Sequence, residues 1–188
     1  SDFHDHPVGN NLLPLIKNHD HALVEVFLYS CTELPDRLTE VFIQSADHWS
    51  VVGKCSDKEI AQQISHDKID IMVYLAGRFN LNRPEVAEYR PAPIQISFHD
   101  CATSGSDEID YWLTDFDLHP ENTKEMFTEK LFHLANLYQF SVPDHLPQVA
   151  QFPFFGNNYI TFGSLSKPEK INDETISLWA DVLLKIPG

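Results

Sequence analysis

Cysteine is scarce: the sequence holds three, Cys31, Cys55 and Cys101. They are widely spaced and odd in number, with no CxxC pair, which excludes a disulfide framework and predicts a reducing compartment, the cytoplasm. Positive charge is also short, with 13 Lys and Arg against 28 Asp and Glu and a net charge of −15. That balance repels polyphosphate, so neither nucleic acid nor an anionic membrane is an expected partner. No apolar run approaches the roughly 18 residues of a membrane-spanning helix, and the first residues lack the pattern of a signal peptide. Only 7 glycines and 12 prolines are present, too few for collagen-like or low-complexity chains. What is there is a globular composition, 43% hydrophobic and 12% aromatic over 188 residues. At about 150 residues per domain, that is one domain or one and a half.

The chain opens on Ser-Asp-Phe-His-Asp-His-Pro-Val-Gly, which reads as a loop with no element before it. A helical pattern runs straight into Pro187-Gly188. Both features predict a fragment of a longer protein. In between, strand and helix signals alternate. Residues 22–30 and 69–76 are nearly continuous apolar runs, as in strands buried on both faces. Residues 48–52, 94–98 and 109–114 suit shorter strands. The stretch after Pro35 places Leu38, Val41 and Phe42 at helical spacing. Ser56 and Glu59 form a capping box ahead of Ile60, Ala61 and Ile64, and a short helix is expected after Pro84.

The pattern predicts an α/β fold, a Rossmann-like parallel sheet with helices on both faces over residues 1–134, its first strand missing. Ligands of such sheets sit at the carboxyl ends of the strands. There the loops 30–36, 77–83, 99–107 and the amino-terminal loop carry most of the chemically capable residues. Residues 135–156, with Pro143, Pro147 and Pro153, read as a linker. Residues 159–163 read as a new strand and Asn172 as the cap of a helix carrying Ile176, Trp179, Ala180, Leu183 and Leu184. Together 157–188 would begin a second, truncated domain.

Several motifs invite chemistry. His4 and His6 form an HxH that could point two imidazoles at one ion; a structural loop and a histidine facing the crevice are the competing readings. No later pair of spaced histidines with an acidic partner supports the metal, so none is expected. His99-Asp100-Cys101 cannot serve as a triad, because neighbours on an extended segment point to opposite faces. Thr103-Ser104-Gly105 could offer hydroxyls and amides to a sugar or phosphate, or be a turn. Lys170 lies at a helix amino end, where a cation is disfavoured unless an anion binds too; a solvated lysine is the alternative.

Taken in order, these segments resemble the O-GlcNAc-transferase-like glycosyltransferases, family 41, GT-B enzymes commonly carried behind tetratricopeptide repeats. Asp2-Phe3 with His6-Pro7-Val8-Gly9 resembles the family's "DF…HPVG". Residues 70–77 are similar to "DILVDLAG", and Arg90-Pro91-Ala92-Pro93-Ile94-Gln95 matches "RPAPIQ". Thr103-Ser104-Gly105 with Asp110-Tyr111 is similar to "GTSG…DY", and residues 127–131 to "YSEKL". Residues 159–164 with Lys170-Ile171 and Leu178-Trp179 resemble "VTFGSFN…KI…LW".

The resemblance implies an inverting transferase. It would move N-acetylglucosamine from UDP-GlcNAc to Ser or Thr hydroxyls of a protein acceptor, with no metal and no other cofactor. It places His6 as the active-site histidine near acceptor and sugar, and Lys170 as the lysine that neutralises the departing diphosphate. Pro7, Gly77, Arg78, Thr103, Ser104 and Gly105 would line the cleft. The nucleotide sugar would be held by a carboxyl-terminal half that this chain lacks, so the fragment alone is expected to be inactive and prone to self-association through exposed surfaces. Three departures stand out. His99-Asp100-Cys101-Ala102 replaces the family's "GYPG", Arg78-Phe79 follows Gly77, and Glu169 replaces an aromatic residue beside Lys170. These keep open an alternative, a non-catalytic GT-B-like interaction module.

Overall fold

The computed structural model describes residues 1–79, 81–137 and 146–186. The middle of the expected linker and the terminal Pro187-Gly188 lie outside them. The chain divides into two compact units, Ser1–Ser141 and Val142–Gly188.

The first unit carries helices α1 (Pro7–Lys17), α2 (Arg37–Ser45) and α3 (Asp57–His66). Its strands are β1 (Phe27–Ser30), β2 (His48–Val51), β3 (Ile71–Leu75), β4 (Ile94–Phe98), β5 (Tyr111–Thr114) and β6 (Lys130–His133). Every pairing is parallel, and the strands form two sheets ordered β1-β2 and β3-β4-β5-β6. Helices cover both faces. On one, Leu12 and Ile16 of α1 and Phe42 of α2 pack with Leu28, Leu75 and Phe98. On the other, Ile60, Ala61 and Ile64 of α3 pack with Tyr29, Met72, Tyr74 and Val86. The Rossmann-like α/β class follows from this layering.

Capping explains where the helices start. Asp36 caps α2, its carboxylate accepting from the Thr39 amide at 3.0 Å while the Thr39 hydroxyl accepts from the Asp36 amide at 3.1 Å. Ser56 and Glu59 close the expected box on α3. Sequence reasoning does not find α1: its stripe Val8, Leu12 and Ile16 is interrupted by Pro14, which forfeits one helical hydrogen bond. Nor does it find β6, where Lys130 and His133 flank only two apolar residues.

Other expectations shift. Of the apolar run 22–30 only Phe27–Ser30 is strand; the amide of Val26 is bound by the Asp47 carboxylate at 2.7 Å instead. The helix after Pro84 is a 3-10 helix, Pro84–Tyr89. β3, which reads as buried on both faces, leaves Ile71 51% and Val73 37% exposed. Among the described residues its edge away from β4 has no partner strand, and neither has the edge of β1 away from β2.

The second unit carries α4 (Phe154–Asn157), a 3-10 turn (Pro168–Lys170) and α5 (Asp173–Leu184). Asn172 caps α5 as expected, accepting from the Thr175 amide at 2.9 Å. The strand expected over 159–163 is absent. A strand exists only where a neighbour completes its ladder, and among the described residues this unit has no strand to do so.

Candidate functional site

The four loops at the carboxyl ends of the strands meet. The Thr32 hydroxyl, just past β1, donates to the Ser1 carbonyl at 2.9 Å. The Asp36 carboxylate accepts from the Asp5 amide at 2.7 Å. Asn82, from the loop after β3, donates to the Asp2 carboxylate at 3.0 Å. The Arg78 guanidinium reaches the Ser104 carbonyl at 3.2 Å. Loops far apart in sequence therefore form one rim, at the end of the sheet where the crevice rule places a ligand.

His6 stands on this rim as the N-cap of α1, followed by the exposed Pro7 at the first helical position, where its missing N–H costs nothing. The His6 Nδ1 accepts from the Val8 amide at 3.3 Å and lies 3.4 Å from the Asp2 carboxylate. Asp2 is 1% exposed and is held by Asn82 and by the Ser1 hydroxyl at 3.3 Å. The buried, hydrogen-bonded Asp2 carboxylate and the Val8 amide beside the same imidazole nitrogen hold the ring in place. Sequence reasoning names Asp2 only as part of a motif. Its spacing of four residues from His6 is a usable signal, whereas nothing in the sequence singles out Asn82.

Gly77 follows Ala76, and both have positive φ (52° and 54°). A Cβ on Gly77 would sit 1.7 Å from the Asp100 carboxylate, so the glycine is what lets the 99–107 loop close down on the 77–83 loop. Burial pushes the Asp100 carboxyl above its ordinary value, opposed by the amides of Cys101 and Ala102. Burial likewise lowers His99.

The Thr103-Ser104-Gly105 turn is fastened from below. Glu129, 5% exposed, accepts from the Thr103 hydroxyl at 2.6 Å and from the Ser104 amide at 2.8 Å. Burial pushes the Glu129 carboxyl up, but these bonds outweigh it and its pKa is lowered. The Thr103 hydroxyl and the Ser104 amide are thus already engaged, and Gly105 is the exposed member of the turn. Glu129 is a residue that sequence reasoning missed as a site element. It sits in the matched 127–131 segment, but a clasp across 25 or 26 residues leaves no local pattern.

His6, Pro7, Gly77, Arg78, Thr103, Ser104 and Gly105 all belong to the first unit. Lys170 belongs to the second, exposed at the end of the 3-10 turn and two residues before the Asn172 cap. His4 and His6 have ring centroids 5.6 Å apart, but among the described residues the three possible ligands close enough to share one ion are His19, His21 and Asp47. That cluster is internally paired: Asp47 meets His19 at 3.1 Å and His21 at 2.8 Å.

Residues 1–160 match the family model described as Glycosyl transferase family 41. The chain is 29% identical over its whole length to an Arabidopsis thaliana protein named probable UDP-N-acetylglucosamine–peptide N-acetylglucosaminyltransferase SPINDLY, covering 21% of it. It is 30% identical over 77% of its length to the UDP-N-acetylglucosamine–peptide N-acetylglucosaminyltransferase of Caenorhabditis elegans, covering 13% of that protein. Among solved structures, a mutant O-GlcNAc transferase of Thermobaculum terrenum superposes with a TM-score of 0.87 at 32% identity, over 97% of this chain and 35% of its own. The chain therefore spans about a fifth of the curated relatives it matches most fully.

Proposed function

The chain belongs to glycosyl transferase family 41, and from that premise we propose that it is part of a protein O-glycosyltransferase moving N-acetylglucosamine from UDP-GlcNAc to Ser or Thr hydroxyls. Residues 1–134 are the acceptor-side half of a GT-B catalytic region, 135–156 the connector, and 157–188 the start of the nucleotide-sugar half. The parent is cytoplasmic, a reading supported by three free cysteines, and carries the tetratricopeptide repeats common in the family. Among the described residues, no helix is long and apolar enough to cross a membrane.

The observation that carries this reading is the Asp2–His6 pair on the rim of the sheet, in the segment matched by the family model. In the reaction the acceptor oxygen attacks the anomeric carbon and loses its proton. The bond from that carbon to the diphosphate oxygen breaks, and UDP leaves with the electron pair, inverting the anomeric centre. His6, oriented by Asp2, contacts acceptor and sugar. Lys170 meets the charge that develops on the diphosphate, which a fixed cation stabilises more in the transition state than in the ground state. Pro7, Gly77, Arg78, Thr103, Ser104 and Gly105 shape the acceptor side of the cleft.

A second reading, a non-catalytic interaction module, is favoured by Glu169, an acidic residue directly before Lys170, and by Asp100 in the 99–107 loop of the first unit. The deciding experiment incubates the full-length parent with radiolabelled UDP-GlcNAc and a protein lysate. Labelled protein, reduced about 100- to 1,000-fold in rate by Lys170→Ala, is the expected result. Absence of label, or equal labelling by wild type and Lys170→Ala, selects the non-catalytic reading.

A further inference from the structure

At the amino ends of β1 and β2, away from the rim, three elements converge on one carboxylate. Asp47 directly precedes β2, and its Oδ2 accepts from the amide of Val26, the residue before β1, at 2.7 Å. The amides of Asp47 and His48 donate in turn to the Val26 carbonyl at 3.1 and 3.0 Å. Onto this fixed carboxylate the turn after α1 lays two imidazoles. His19 Nε2 lies 3.1 Å from Oδ2, and His21 Nδ1 lies 2.8 Å from Oδ1. Asp20, between them, builds the turn: its side chain accepts from the Ala22 amide at 2.9 Å and its carbonyl from the amides of Leu23 and Val24. The two rings come to a centroid separation of 4.0 Å. One ligand atom from each of His19, His21 and Asp47 then lies within 4.8 Å of the others.

The hydrogen bonds leave a positive charge to be supplied. His19 Nδ1 sits 2.6 Å from the Ile16 carbonyl, which can only accept, so Nδ1 carries a hydrogen. A neutral ring then has a lone pair at Nε2, and that lone pair faces the Asp47 carboxylate, another acceptor. Such a contact is repulsive unless a cation lies between the two atoms. A proton can take the place, but it leaves a charged ring whose side chain is only 8% exposed. A divalent ion takes the same place, keeps both rings neutral and uses the His21 lone pair as well.

We propose that His19 Nε2, His21 Nδ1 and an Asp47 carboxylate oxygen form a binding site for Zn²⁺, with water completing its coordination. Two imidazoles and one carboxylate are ligands that zinc favours, whereas Mg²⁺ and Ca²⁺ take sets of oxygen atoms. The Ile16 carbonyl and the Val26 amide are outer partners of the kind that orient a ligating histidine and carboxylate. Tetrahedral coordination at zinc–ligand distances of about 2.0–2.1 Å requires ligand atoms to stand about 3.3 Å apart. The His21 side chain, 65% exposed, opens its 2.8 Å contact by a small rotation and carries its own proton on Nε2. The net charge of −15 favours the arrival of a cation. Bound there, the ion ties the end of α1 to the entries of β1 and β2. The strands run from this site towards the rim, so the ion takes no part in the proposed transfer, and the inference does not depend on that reading.

The test titrates Zn²⁺ by calorimetry into the 188-residue chain, stripped of metal with a chelator, at about pH 8, where an ordinary imidazole is neutral. Mg²⁺ is present in about tenfold excess over Zn²⁺ to occupy sites made of carboxylates alone. The expected result is one zinc ion per chain, bound in the micromolar range or tighter. His21→Gln, a change at an exposed side chain, should weaken binding about 100-fold or more, the upper end of what losing an outer-shell partner costs. His4→Gln, which breaks the other HxH, should leave binding unchanged. Nitrogen-15 spectra of the imidazoles should place zinc on Nε2 of His19 and Nδ1 of His21, with the Nδ1 hydrogen of His19 retained. Absence of saturable binding overturns the proposal and leaves the position to a proton. Binding that Mg²⁺ abolishes, that His21→Gln leaves intact or that His4→Gln removes overturns it as well.

Discussion

Gly9 sits in the first turn of α1, where a Cβ would lie 2.5 Å from the carbonyl oxygens of both Asp2 and His4. The obstacle is backbone rather than a mobile side chain, so any other residue must push the 2–4 segment away from the helix. Gly9→Ala is expected to destabilise the first unit by about 1–3 kcal/mol and to lengthen the 3.4 Å separation of His6 and Asp2. Thermal unfolding and NMR contacts between the His6 ring and the 2–4 segment measure the two effects. Thus the glycine of the His-Pro-Val-Gly motif acts through packing while its histidine carries the proposed chemistry, a division that the letters alone cannot show. The run from Arg90 to Gln95 teaches the same lesson. Arg90 pairs with Asp110 at 2.7 Å. Gln95 is fully buried, bonding Tyr74 at 2.7 Å and the carbonyls of Ala87 and Glu108 at 3.1 and 2.7 Å. The most specific stretch in the sequence is a structural strut; leaving those three partners unsatisfied would be costly. The motifs were legible at this scale, but the contacts of Arg90 and Gln95 lie with partners up to 21 residues away.

Between elements, Asp47 joins the turn after α1 to the entry of β1, accepting from the Val26 amide and meeting His19 and His21. The Val26 amide is the chief cause that lowers its carboxyl from 3.8 to about 2, helped by the two imidazoles. His19 is raised above 6.5, first by the Ile16 carbonyl and then by Asp47. The signs follow from linkage. The Asp47 contribution is present above pH 3.8 and is lost as pH falls through about 2. The His19 contribution is complete below pH 6.5 and is lost as pH rises through its raised value. The junction is therefore strongest between the two ordinary values. Melting the wild type and Asp47→Asn from pH 2 to 9 should show their Tm difference greatest in that window and shrinking on both sides; a difference flat in pH would contradict it. The junction also explains an error at the element scale. Residues 22–30 carry strand-like side chains throughout, but a carboxylate takes the Val26 amide and the ladder begins at Phe27. Helices with strong capping boxes were legible, as were strands bounded by Pro93 or Gly77. The helix interrupted by Pro14 and the four-residue β6 were not, because each is stabilised by packing and pairing rather than by a local pattern.

For the molecule as a whole, the alternation of strands and helices suffices to predict a parallel sheet with helices on both faces. That β1 and β3 are not paired with each other among the described residues is read from the pairing alone, since every element flanking that point has an ordinary sequence. Charge is the property where sequence and structure combine most directly. Between Arg90 and Lys124 lie seven acidic residues and no basic one, and Arg90 itself is held by Asp110 and Glu108. The net charge of −15 works against the compact state through self-repulsion. Salt acts on both sides of this balance. It weakens the pairs of Arg83 with Asp57 and of Arg90 with Asp110 and Glu108, part-exposed contacts worth about 0–1 kcal/mol each. It also screens repulsion among the unpaired acidic groups, as the Debye length shrinks from about 30 Å at 0.01 M to about 3 Å at 1 M. The carboxylates in excess outnumber these few pairs, so repulsion dominates. Raising NaCl from about 0.01 to 0.5 M is expected to raise Tm by about 2–4 °C, equivalent to roughly 1 kcal/mol. KCl should match NaCl, since screening depends on ionic strength and not on the cation. A Tm that falls with salt would mean that the arginine pairs carry more of the stability than the acidic surface takes away. A rise with NaCl but not with KCl would point to sodium bound at a particular cluster.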